Sequence, residues 1–199
     1  MLRGAFAGRL PSRYVFNPFI KSFILSEVFL WSAWNFIIPI FSVYVATQLT
    51  GGNIQTASFA FSFYLIARVI VELISSFFLE KTKDKQKLMV VIAGNCLLSV
   101  AYLGFAFFMN IQLFYFFFIV AGIGLGIGTP AKNCLFSAHL DKNRETTEWG
   151  MYDAIVFIGM ALAASVGGLI ANQYGFSTLY ILASIINIIG IVPYLLYIR

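Results

Sequence analysis

Apolar residues in this chain come in long unbroken runs, and polar residues gather in the short gaps between them. Six runs are long enough to cross a bilayer: Ile20–Thr47, Gln55–Leu79, Leu88–Phe108, Leu113–Ala138, Gly150–Asn172 and Phe176–Tyr197. A hydrocarbon core of about 30 Å takes about 20 apolar residues in a helix. Barrel strands would instead show segments of about ten residues with alternating polarity. The pattern therefore predicts six transmembrane helices, which satisfy their own backbone polar groups in lipid.

Composition agrees with lipid as the solvent. The 199 residues are 60% hydrophobic and 11% charged, where a soluble domain carries about 25% charged residues. The net charge of +5 does not point to nucleic acid, because the basic residues sit in a few short segments rather than on one face. The connections "TQLTGGNIQT", "FMNIQL" and "NQYGFS" carry no charge. Arg3, Arg9, Arg13 and Lys21 lie near the start. Lys81, Lys83, Lys85 and Lys87 follow span two, and Lys142 and Arg144 follow span four, with Lys132 just inside it. Lys and Arg accumulate on the cytoplasmic side. Every basic segment falls on one side only with six spans and both termini cytoplasmic, in the plasma (inner) membrane. Residues 1–19 then form a basic cytoplasmic segment, either a short interfacial helix or a disordered tail, and 20–199 the membrane domain. The N-terminus lacks an apolar stretch followed by a cleavage site, so no removable signal peptide is expected.

The spans carry marks of an internal repeat. Pro39 in span one and Pro130 in span four lie at similar depth, 91 residues apart (130 minus 39). Ser76-x-x-x-Glu80-x-x-Lys83 and Gly168-x-x-x-Asn172-x-x-Gly175 end spans two and five, 92 apart (168 minus 76). Two inverted three-helix units are a common transporter plan.

At these residues the chain resembles the major facilitator superfamily. "SFFLEKTKDKQK" is similar to its loop motif G-x-x-x-D-x-x-G-R-R/K, with Ser76 for the first glycine, Glu80 for the aspartate and Lys85 for the last basic residue. Lys83 replaces the second glycine. "GMYDAIVFIGMALAASVGG" resembles the family's antiporter motif: Gly150, Gly159, Gly167 and Gly168 are in register, and Ala163 and Ala164 replace its Gly-Pro pair. The arginine of span four is absent, Phe118 standing before Gly122. "FLWSAWN" in span one and "EWGMY" leading into span five are similar to half-length bacterial members. The resemblance implies an all-α polytopic protein, one half of a major facilitator fold, with two three-helix repeats. It implies a transporter working by alternating access, as a homodimer or with a second six-helix half, and no cofactor. The alternatives are a truncated half of a twelve-helix transporter or a non-transporting scaffold.

Several residues are candidates for function. Arg68 and Glu72 share a helix face near mid-membrane, where a charge costs a few kcal/mol or more and should face protein or a wet cavity. They belong either to a substrate or ion pathway, or Arg68 forms a buried structural pair with Glu72, Glu27 or Asp153. Glu27 and Asn35 share a face of span one. Both are pathway candidates: Glu27, nearer the basic end, either serves the pathway or simply reaches water, and Asn35 meets another helix or a substrate. Asp153, one turn inside span five, is a further pathway candidate. Ser76, Glu80, Lys83 and Lys85 form either a cytoplasmic gate or a solvated turn. Gly159, Ala163 and Gly167 recur every four positions as a packing ridge, with Gly168 beside it. Gly122, Gly126 and Pro130 either bend span four or pack it. Trp31 and Trp34 line a cavity or, more simply, pack. His139 reads as a solvated loop residue. Cys96 and Cys134 have no metal spacing. "GIGLGIG" lacks the strand–helix setting of a dinucleotide loop, and no nucleophile–base set suggests an enzyme.

Overall fold

The computed structural model describes residues 16–198; the basic segment before Phe16 lies outside the described residues. Every regular element described is helical. Helix α1 (Pro18–Ile37) opens with Asn17, whose side chain accepts from the Ile20 N–H at 2.9 Å, and with Pro18 in the first turn. Both are ordinary helix-start devices. A 3-10 turn at Ile38–Ile40 carries Pro39, and α2 (Phe41–Gln48) completes the first span. Then come α3 (Ile54–Leu79), α4 (Asp84–Phe107), α5 (Ile111–Ala138), α6 (Glu145–Tyr174) and α7 (Phe176–Ile198). Six spans are long and apolar enough to cross a membrane, and their ends lie within a few residues of those expected.

The two prolines behave differently. Pro39 interrupts the first span, whereas Pro130 lies inside an unbroken α5. Short connections punctuate the rest. Asn53 caps α3 by accepting from Thr56 N–H at 2.9 Å, and Asn110 caps α5 through Gln112 N–H at 2.8 Å. Gly175 alone joins α6 to α7 and sits at φ 86, a backbone region open to glycine.

The helices pack as two copies of one plan. Span one packs on spans five and six, and span four packs on spans two and three, while spans three and six meet each other. Exchanging each span for the one three later leaves this pattern unchanged, as two three-helix repeats require. Glycines allow the close crossings. On α5, Gly122 and Gly126 face the α3 backbone at Tyr64 and Arg68, while Gly124 and Gly128 face α4 at Gly94 and Val91. A Cβ on Gly126 would sit 2.7 Å from the Arg68 carbonyl oxygen. On α6, Gly159, Ala163 and Gly167 turn to α1, with Gly159 against Val28 and Ser32 and Gly167 against Phe36. The expected ridge is thus a contact with span one. Gly168 has nothing within 4 Å of its Cβ position.

Aromatic rings fill both ends of the bundle. On the uncharged side, Tyr44, Phe105, Phe114, Phe118 and Tyr180 interlock, and Tyr44 OH donates to the Phe105 carbonyl at 3.0 Å. On the lysine-rich side, Phe23, Phe136, Tyr152 and Tyr194 cluster. The outer surface is apolar: Phe59, Phe63, Ile66, Ile70 and Phe77 of α3 are all exposed, as a lipid-facing helix side should be. This face places the protein in a membrane.

Candidate functional site

Between the aromatic clusters lie the buried polar groups. Among the most enclosed is Glu27. Its side chain is 0% exposed, and one carboxylate oxygen accepts from Lys132 Nζ at 2.6 Å, Trp31 Nε1 at 3.0 Å and Tyr152 OH at 3.3 Å. The other oxygen accepts from Tyr194 OH at 3.1 Å. Four donors from spans one, four, five and six therefore converge on one acid. The expectation that Glu27 reaches water is corrected: the helices closing over it bring a countercharge and three neutral donors, so water is not needed. Lys132 is 6% exposed and lies 5.2 Å from the Trp31 ring centre. From the sequence alone Lys132 reads only as a topology marker. Its position six residues inside a span was the available signal (138 minus 132).

A second polar seam joins spans three and six. Asn187 Nδ2 donates to the Asn95 carbonyl at 2.8 Å and to Ser99 Oγ at 2.7 Å, and Ser184 Oγ donates to the Ser99 carbonyl at 3.1 Å. Asn95 and Asn187 stand 92 residues apart, the offset already seen at Ser76 and Gly168. The repeat could have pointed to them.

Arg68 and Glu72 do share a face. Arg68 Nε lies 3.4 Å from Glu72, and Nη1 donates to Tyr64 OH at 3.1 Å. The pair stays within one helix, and the side chains are 25% and 35% exposed. Neither reaches Glu27 or Asp153 by an ion pair among the described residues. By helical spacing, Glu72, Ser58, Ser62 and Ser76 share one flank of α3, roughly a quarter of a turn around from the exposed phenylalanines and isoleucines. Asn35 does not reach another helix with its amide: Nδ2 donates to its own helix at Trp31 O, 2.9 Å. An amide deep in a span shares the carbonyl one turn back, which has a second lone pair beside its helix bond. Trp34 packs on Tyr64 at 5.1 Å. Asp153 is exposed and lines a cavity beside Trp31.

At the lysine-rich end, Glu80 ends α3 and makes no ion pair among the described residues. It lines a cavity of about 350 Å³ with Ser76, Pro130, Cys134 and the buried Lys87, whose Nζ donates to Cys134 Sγ at 3.4 Å. Ser76 Oγ donates back to Leu73 O at 2.7 Å, and Lys83 starts α4 with its N–H on Gln86 Oε1 at 3.1 Å. Lys85 is exposed. The acid that reaches across is Asp84, 4.0 Å from His139 Nε2. His139 is not simply solvated. It stacks on Phe19 at 3.9 Å, and Nδ1 bonds to the Leu135 carbonyl at 2.8 Å. Three or more His, Cys, Asp or Glu side chains able to hold a metal do not gather among the described residues.

Six helices able to span a membrane, in two repeats with charges enclosed between them, define half of a membrane-transporter fold. The comparisons name it. A family model described as Major Facilitator Superfamily matches residues 23–199, and the chain belongs to that superfamily, a family of transporters rather than enzymes. It is 27% identical over 101 residues to the proton-coupled antiporter flippase LtaA from two strains of Staphylococcus epidermidis. That stretch is 47% of this chain and 25% of the relative, so the match spans a quarter of the relative's length. The fold is similar to the crystal structure of the POT family transporter PepTSo, with TM-score 0.77 and 14% identity. The likeness covers 89% of this chain and 36% of that one.

Proposed function

We propose that this chain forms one six-helix half of a transporter that moves a small solute across the membrane by alternating access. A second copy of the chain supplies the other half, inserted parallel to the first, with the termini and the lysine-rich loops in the cytoplasm. The observation that carries this is the Arg68–Glu72 pair. A partly exposed ion pair near mid-membrane is costly against hydrocarbon, so its flank of α3 calls for water or another protein surface. A second half facing that flank encloses both a polar path and the charges.

The buried Glu27 cluster supports the mechanism. Glu27 on span one and Lys132 on span four belong to different repeats. Breaking their contact frees the two repeats to tilt, and remaking it restores one outward or inward state. The relative, a proton-coupled antiporter flippase, agrees in kind with a transporter.

The test has two parts. Crosslinking in native membranes should give a dimer of this chain. Reconstituted protein should carry a solute-dependent current on a supported membrane, and Arg68→Ala should abolish it while the protein still inserts. A chain that stays monomeric overturns the paired-half reading. Loss of folding in Arg68→Ala assigns the charge to structure instead.

A further inference from the structure

A cavity between span one and α6 is left unused by the arrangement above. It measures about 170 Å³ and is lined by Trp31, Tyr152, Asp153, Val156, Phe157 and Met160. Two other acids within the spans are matched, Glu27 by Lys132 and Glu72 by Arg68. Asp153 forms no ion pair with a described residue.

The charge nearby does not fill its place. Lys132 lies near the Trp31 ring, but Glu27 holds it at 2.6 Å. Those two charges cancel at a distance, and the cavity keeps the single negative charge of Asp153. The polar edges of its aromatic walls are also committed: Trp31 Nε1 and Tyr152 OH both donate to Glu27. Indole has no second polar group. What remains to meet a ligand is ring surface, a thioether, aliphatic carbon and one carboxylate.

That combination selects among cations. A small inorganic cation would trade its hydration shell for one carboxylate and a greasy wall. A quaternary or tertiary ammonium is weakly hydrated, gains attraction from aromatic faces, and buries its methyl groups against apolar surface. The volume is below the roughly 300–1,000 Å³ of complete small-molecule sites. It suits a cationic head group, with the rest of the molecule leaving by the open side of α6.

We propose that this cavity is a binding site for the head group of an organic cation, with Asp153 as its counter-ion. The inference rests on the transporter reading and names its substrate class. The site also touches the lock between repeats. Tyr152 and Trp31 wall the cavity and hold Glu27, so a seated cation presses on the residues that keep Glu27 with Lys132.

Titration calorimetry of the full chain in lipid nanodiscs tests this with benzyltrimethylammonium and its uncharged isostere neopentylbenzene. The ammonium should bind at one site per chain, and Asp153→Asn should weaken it about tenfold or more, roughly 1.4 kcal/mol or above. Met160→Arg, which places a fixed cation in the wall, should abolish binding. Asp153 is exposed, so Asp153→Asn should keep the fold, and an unchanged melting curve checks this. Equal binding of the two probes, or an Asp153→Asn affinity equal to wild type, overturns the site. The outcome is separable from transport. Solute-driven current without ammonium binding sinks the site alone, and binding without current for any solute sinks the transporter reading alone.

Discussion

Lys132 Nζ and the Glu27 carboxylate meet at 2.6 Å in the interior of the bundle, one from each three-helix repeat. Removing one partner of such a pair strands the other charge away from water, which costs about 3–5 kcal/mol. Lys132→Ala should therefore lower the unfolding temperature sharply in detergent. The double variant Glu27→Gln, Lys132→Met leaves no stranded charge and should recover most of the loss. A double variant as unstable as the single one would show that the Tyr and Trp hydrogen bonds, not charge balance, hold the site.

Two neighbouring glycines should respond in opposite ways. A Cβ at Gly167 would lie 2.6 Å from the Phe36 carbonyl oxygen, backbone that cannot rotate aside, while Gly168 faces open space. Gly167→Val should push α6 off α1 and cost about 1–3 kcal/mol from overpacking. Gly168→Val should leave the monomer's thermal stability near wild type. The comparison is a melting curve for each variant.

The Asn187 amide bridges spans three and six with two donated hydrogen bonds. Hydrogen bonds between membrane helices contribute about 0.6–1.7 kcal/mol each. Asn187→Leu should cost about 1–2 kcal/mol on that scale, since it also leaves Ser99 Oγ without its donor. Steric-trap unfolding in bicelles reads this directly. The substitution should be milder than Lys132→Ala, because no charge is stranded.

Topology follows from labelling. Gln55→Cys and Lys85→Cys, each in a background lacking the exposed Cys96 and Cys134, should react from opposite sides of the membrane. The Lys85→Cys label should need a permeant reagent in intact cells. Reaction of both from one face would remove a span and overturn the parallel pairing.

Much of this fold is legible in the sequence, because lipid demands long apolar runs and leaves polar residues only the gaps. The span ends, the two-repeat plan and the shared face of Arg68 and Glu72 all follow from such local rules. What is not legible is which polar residue meets which across the bundle. Lys132 stands near enough to a loop to look like a topology marker, and Glu27 near enough to the start to look wet. Their burial depends on Tyr152 and Tyr194, far along the chain. Pro39 and Pro130 occupy equivalent places, yet only the first interrupts its helix. Gly122 and Gly126 are seen to pack against α3, a choice that spacing alone left open against bending.

The long reach of the Glu27 contacts also bears on how the chain is made. Lys132 follows Glu27 by 105 residues and Tyr194 by 167. At roughly 5–20 residues per second, the ribosome delivers the lysine about 5–20 s after the acid. Through that interval the carboxyl lacks the countercharge it has in the folded bundle. The first of these six spans to be made is thus among the last to be fixed in place.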